Sequence, residues 1–170
     1  MPIPPVLTYP HPLLKQKAPE TDLNSPEWTA VLSRLRETMG FYPGCVGLAA
    51  PQIGSLLRCL VVDVSASPRA GENHGLLQLV NPKILEATQW KVGREGCLSF
   101  PDLLANVKRA QKIRLEAVNE KKEKVELTCS GFEAVALQHE MDHLDGLLFL
   151  DRIRSSKDLF ERKKTTSTPL

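Results

Sequence analysis

The stretch Gln138-His139-Glu140-Met141-Asp142-His143 sets two imidazoles four residues apart, with a glutamate directly after the first. On an α-helix these imidazoles lie one turn apart on one face, so His139 and His143 can grip a single ion. Glu140 projects about 100° further round, within reach of a water on that ion without being a ligand itself. The flanking residues mark the helix: Ser130 with Glu133 reads as a capping box, and Gly146 as a C-terminal stop. Two histidines at this spacing also occur on ordinary helix surfaces, so a third ligand is what turns the pattern into a site.

No histidine follows His143, and Glu161 sits in a polar tail. His11 and His74 are far upstream, His74 in a polar, turn-rich loop over 65–75 where it reads as an exposed residue. The third donor is therefore expected from upstream, and a thiolate is the strongest one available for a borderline-soft divalent metal. Of Cys45, Cys59, Cys97 and Cys129, Cys97 stands out because Arg94-Glu95-Gly96-Cys97-Leu98-Ser99-Phe100-Pro101 reads as an irregular, Gly-flanked segment. Cys59 and Cys129 fall in strand patterns and read as core. A Cys/His/His set leaves one tetrahedral position open, which is the geometry of a catalytic site.

Working outward, Lys112–Val118 and Val125–Cys129 alternate as antiparallel strands about a polar turn at 119–122, and this hairpin feeds the metal helix. Leu56–Val64 reads as an interior strand, Leu76–Val80 as a short strand stopped by Asn81-Pro82, and Trp90–Gly93 as another. Gly44–Gly54 is a small-residue loop in which Gln52 is the one amide side chain. Ser25-Pro26-Glu27 opens a helix with Trp28, Val31, Leu32, Leu35 and Met39 on one stripe, stopped at Gly40. Prolines throughout residues 1–24 predict an extended arm, and residues 151–170 a basic C-terminal tail whose stretch from Asp151 to Lys164 forms a solvated, frayed helix. The expected fold is α+β: mixed, mostly antiparallel β-sheets packed around a central metal-binding helix, with the Ser25–Met39 helix outside.

A chain of 170 residues is most simply one domain, residues 1–170. Its 42% apolar and 25% charged content is ordinary for a globular protein, and a net charge of +2 gives no argument for broad nucleic-acid or membrane binding. No apolar run approaches the ~20 residues of a membrane span. Met-Pro-Ile-Pro-Pro lacks the layout of a signal peptide, and four irregularly spaced cysteines do not form a disulfide framework, which together point to a reducing cytoplasm.

Three separated motifs, Cys45-Val46-Gly47-Leu48-Ala49-Ala50-Pro51-Gln52, Glu95-Gly96-Cys97-Leu98-Ser99 and Gln138-His139-Glu140-Met141-Asp142-His143-Leu144-Asp145-Gly146, resemble in order and spacing those of the peptide deformylase family. The resemblance runs from about Thr8 to Ile153. It implies that Cys97, His139 and His143 are the metal ligands, usually for Fe²⁺, with Zn²⁺, Ni²⁺ or Co²⁺ able to substitute. It implies further that Glu140 is general base and acid, that Gln52 and the Leu98 N–H are donors to the oxyanion, and that Gly47 lines the substrate. The implied reaction removes the N-formyl group from the formyl-methionine of nascent chains and releases formate. The implied location is cytoplasmic, or organellar in a eukaryote. Bacterial members dock on the ribosome through a basic C-terminal segment, to which the tail here corresponds. On the metal-bearing face, Phe132, Val135 and Ala136 are expected to join Val46 around the methionine side chain, with Asp142 and Arg109 as charged partners behind the ligands.

Two departures bear on substrate preference: Leu104 stands where many members have an arginine, and Cys45 where the loop motif has its first glycine. The competing readings are a general metalloendopeptidase, which needs an extended cleft and usually a downstream ligand, a structural zinc module closed by Cys129 or Cys45, and a deformylase-like protein without turnover.

Overall fold

The computed structural model describes residues 2–162. Cys59-Leu60-Val61-Val62 is buried at all four positions because both faces of the sheet are covered there, and alternate residues enter different cores. This strand, β2 (Cys59–Val62), lies between β1 (Gly47–Ala49) and β3 (Leu77–Cys97). Beyond β3 come β4 (Phe100–Asn119) and β5 (Lys124–Ser130), while β6 (Leu159–Glu161) pairs with another part of β4. Every pairing is antiparallel.

Among the described residues, two α-helices cover opposite faces. Helix α1 (Glu27–Phe41) buries Trp28, Val31, Leu32, Leu35 and Met39 against Cys59, Val61 and Leu48. Helix α2 (Gly131–Leu144) packs Ala134, Leu137, Met141 and Leu144 against Leu60, Val62 and Ile113. Every residue from Glu133 to Leu144 is buried, so α2 is the central helix expected from the sequence.

Several boundaries differ from those the sequence suggested. α1 begins at Glu27 with Pro26 as its N-cap, and Ser25 Oγ accepts only a long bond from the Glu27 N–H, at 3.4 Å. It also runs through Gly40 and stops where Tyr42, preceding Pro43, is forced to extended backbone. Asn81-Pro82 does not stop a strand: the run from Leu77 to Cys97 is continuous, with register shifts at Val80/Lys83, Ile84/Glu86 and Glu95/Cys97. Asn81 adopts φ 52° there, and its side chain bonds both the N–H and the carbonyl of Thr21 at 2.8 and 3.0 Å. Cys97 is thus the last residue of a strand, with Leu98 and Ser99 as the tight turn into β4, rather than part of an irregular segment. Residues 151–162 are not helical beyond two short 3₁₀ turns, because Leu159–Glu161 pairs with Leu103–Ala105 and Phe160 packs under the Arg94 guanidinium. The remainder of the predicted tail helix lies outside the described residues.

The N-terminal arm is extended apart from one 3₁₀ turn at Pro12–Lys15. It reaches both sides of the site: Leu7 donates to the Gln52 carbonyl and accepts from Ser99 Oγ, and Ala18 donates to the Leu144 carbonyl. Arg58 adds its guanidinium to the same helix end, bonding the Ala18 and Leu144 carbonyls and Asp145 at 2.9–3.0 Å. Its charge suits the negative end of the helix dipole. Gly146 takes φ 71° and, with Leu147 donating to the Asp142 carbonyl, closes α2 as the expected stop.

Candidate metal centre

Helix α2 places His139 and His143 on one face, with ring centroids 5.1 Å apart. The β3–β4 turn delivers Cys97 to them: its Sγ lies 3.4 Å from His143 Nε2, and the three ligand atoms fall within 4.8 Å of one another. All three residues are buried. A thiol and two imidazoles converging in this way fit a borderline-soft divalent cation, with a fourth position to spare. Cys129 lies in a separate cluster and Cys45 is not within the set, so neither closes the shell as the structural-zinc reading requires.

The ligand geometry is fixed from behind. His139 Nδ1 lies 2.8 Å from Glu95 Oε1, so its N–H donates to the carboxylate and its Nε2 is presented to the site. Arg109 binds Glu95 with two nitrogens, at 2.8 and 3.0 Å, and Asp142 with a third, at 2.6 Å. Arg152 completes the group with two bonds to Asp142 at 2.7 and 3.0 Å. Burial alone would raise the Glu95 pKa, but the hydrogen bonds from His139 and Arg109 and the Arg109 charge outweigh it and hold the carboxyl at about 2. The expected pair of Arg109 and Asp142 is present, whereas Glu95 and Arg152 escaped the sequence reading. Glu95 stands two residues before Cys97 and faces a histidine 44 positions away, so nothing in its neighbourhood marks it.

Glu140 is 1% exposed, and among the described residues neither of its oxygens has a hydrogen-bond partner. Burial pushes its pKa up to about 7, despite the opposing pull of His139. A buried carboxylate without a protein partner is costly, and a neighbouring cation with its water satisfies it; the residues present fit a metal on this ground as well as by donor type. Gly47 lies directly against it: a Cβ there would sit 2.7 Å from Glu140 Oε2.

Gln52 is buried beside Cys97, its Nε2 3.8 Å from Sγ and 3.1 Å from Ser99 Oγ, while its Oε1 accepts from the Ala49 N–H. Leu98 follows Cys97 in the turn. Val46 and Ala136 share one core cluster with half-buried Phe132, whose ring carries the Arg69 guanidinium at 4.1 Å, and Val135 is buried nearby on α2. The Ser130–Glu133 capping box does not form. Ser130 caps α2 without a side-chain bond, and Glu133 instead accepts from His74, which is exposed as expected but not idle. Leu104 is buried and pairs with Phe160 of β6. No helix among the described residues is long and apolar enough to cross a membrane.

A sequence profile described as Polypeptide deformylase matches residues 3–159. A peptide deformylase of Syntrophobacter fumaroxidans is 41% identical over 160 residues, covering 93% of this chain and 91% of its own. Among solved structures, the peptide deformylase of Thermotoga maritima superposes with a TM-score of 0.81 at 35% identity, over 91% of this chain and 100% of that one. A class I type b peptide deformylase of Acinetobacter baumannii, solved with Met-Ala-Ser bound, gives 0.81 at 33% identity over 89% and 100%. Agreement of sequence and fold along nearly the whole described chain places it in the peptide deformylase family, whose members remove the N-formyl group from nascent peptides.

Proposed function

We propose that Cys97, His139 and His143 hold the catalytic metal of this deformylase and that Glu140 carries the proton. The observation behind this is the convergence of the three donors beside a buried carboxylate that has no hydrogen-bond partner among the described residues. When bound, a divalent cation supplies Lewis acidity, making water more acidic and drawing charge from the formyl oxygen. Glu140 takes one proton from the attacking water at a carboxylate oxygen and passes it to the departing amine nitrogen, so that formate and a free N-terminus result. Gln52 Nε2 and the Leu98 N–H donate to the formyl oxygen as its charge grows, an interaction typically worth about 10²–10³-fold in kcat. Gln52 is held for this by Ala49 and Ser99.

The substrate is an extended peptide. Among the described residues β1 pairs only with β2, so its outer edge is open to one more strand, and Gly47 sits there against Glu140. Val46, Phe132, Val135 and Ala136 form the apolar side on which the methionine rests. The Met-Ala-Ser complex of the Acinetobacter relative supports a peptide of this kind.

The native metal in our reading is Fe²⁺, with Zn²⁺, Ni²⁺ or Co²⁺ able to substitute; anaerobic purification with metal analysis identifies it. The chain acts as one domain in the cytoplasm and docks on the ribosome through its basic C-terminal segment. Ribosome binding that survives deletion of residues 152–170 excludes that docking mode. The decisive experiment is formate release from formyl-Met-Ala-Ser by the metal-loaded protein. Glu140→Gln is expected to lower kcat/KM by about 10²–10⁴-fold at unchanged metal content. Equal rates in the two proteins overturn the assignment of Glu140.

A further inference from the structure

A second set of metal-ligating groups lies near the start of α2. Cys129 comes from the end of β5, Glu133 from the first turn of α2 and His74 from the loop before β3, and their ligand atoms all lie within 4.8 Å of one another. Glu133 precedes His139 by six positions, about 9 Å along the helix axis, so this cluster is separate from the catalytic one. Cys129 and Glu133 are each 1% exposed, and the His74 side chain is 38% exposed. His74 Nδ1 lies 2.6 Å from Glu133 Oε1 and 3.8 Å from Cys129 Sγ, while the His74 N–H donates to Glu133 Oε2 at 2.6 Å.

An ion pair pins a loop to a helix through His74 and Glu133, and Cys129, which also packs in the core with Ile113 and Leu137, turns its thiol toward both of them from a third element. We propose that His74, Cys129 and Glu133 bind a second thiophilic divalent cation, of the class of Zn²⁺ or Co²⁺. A thiolate, an imidazole and a carboxylate together select such ions over Mg²⁺ or Ca²⁺, and three protein ligands leave the fourth position toward solvent. Neighbouring donors around a tetrahedral ion with bonds of about 2.0–2.3 Å stand roughly 3.3–3.6 Å apart, so His74 must withdraw slightly from Glu133. His74 is the exposed, loop-borne member of the three and is the one free to do so. Glu133 Oε2 keeps its bond to the His74 N–H, which orients Oε1 toward the ion. On binding, Cys129 gives up its thiol proton to solvent, and the His74 ring loses the Nδ1 proton it donates to Glu133 and carries one on Nε2 instead, leaving Nδ1 to ligate. The bound ion ties residues 65–75 to the first turn of α2.

The test uses the folded enzyme already carrying one equivalent of Ni²⁺, titrated with Zn²⁺ or Co²⁺ and freed of excess by gel filtration. Total metal per chain is expected to reach two in the wild type and to stay at one in Cys129→Ser and in His74→Gln, which keeps a hydrogen-bond donor for Glu133. Co²⁺ in the second site is expected to show thiolate charge-transfer absorption that Cys129→Ser abolishes. Deformylation rates and unfolding midpoints, measured without added metal, should match the wild type in His74→Gln, which separates loss of the site from loss of the fold. A wild type that stops at one metal overturns the proposal, as does a second equivalent that persists in both variants or lacks the thiolate absorption.

Discussion

Gly47 and Glu140 are in such close contact that the glycine's missing side chain is part of the site. A methyl group at 47 would lie 2.7 Å from Glu140 Oε2 and 2.9 Å from its Cγ, and Glu140 is enclosed on all sides. Gly47→Ala therefore displaces the carboxylate rather than merely crowding it. A misplacement of order 1 Å costs about 10²-fold, so kcat/KM for formyl-Met-Ala-Ser should fall by that order while metal content stays at its wild-type value. Full activity in this variant would mean that Glu140 does not act from the observed position.

At the scale of elements, α2 is locked to β4 through charge. Arg109 is 4% exposed in its side chain and serves both Glu95 and Asp142, whereas Arg152 is 45% exposed and serves Asp142 alone. Arg109→Ala leaves buried Glu95 with His139 as its remaining partner and buried Asp142 with only the half-exposed Arg152, and is expected to cost about 3–5 kcal/mol. Arg152→Ala removes a half-exposed partner from an aspartate that keeps Arg109, and should cost about 1 kcal/mol or less. Urea unfolding of both variants checks the contrast, and equal losses would show that burial does not govern this network. The same elements show what the sequence carries. The metal helix was legible because its histidine spacing and its Gly146 stop are local features, and Cys97 because few donors remained. The length of β3 was not legible, since Asn81-Pro82 reads as a stop until the backbone of Thr21, 60 positions away, is seen to hold Asn81 in a bulge. Glu133 misled for the same reason: a capping box is a local pattern, and the competing partner, His74, lies 59 positions away.

For the molecule as a whole, the metal is expected to act as a clamp between α2 and the β3–β4 turn. At a ligand concentration of about 1,000 Kd, binding adds about 4 kcal/mol. Chelation should then lower the Tm by roughly 10 °C, at 2–4 °C per kcal/mol for a chain of this size. A melting curve that does not move after metal analysis confirms removal would show that the three donors are held without the ion. The thiols give a pH test. Burial, as the largest cause, pushes Cys45, Cys59 and Cys129 up to about 12. At pH 8 only about one in 10⁴ of each is thiolate, a fraction that rises tenfold per pH unit. Labelling of buried Cys59 and Cys129 in the native, metal-loaded protein should be correspondingly slow and accelerate with pH, and stoichiometric labelling of either within seconds at pH 8 would contradict its buried placement.

The arm before α1 meets the segment that follows α2. Ala18 and Arg58 seal the last turn of α2, Gly146 lies against the Lys15 carbonyl, and Lys15 pairs with Asp151 across 136 positions. Contacts of such long range form late, because the loop they close must first be gathered. During synthesis residues 15–18 leave the translation machinery well before their partners at 144–151 exist, and the ligand-bearing helix follows only after the five strands of its sheet. A newly made copy is thus unable to process other chains until α2 has been synthesised and docked on the sheet.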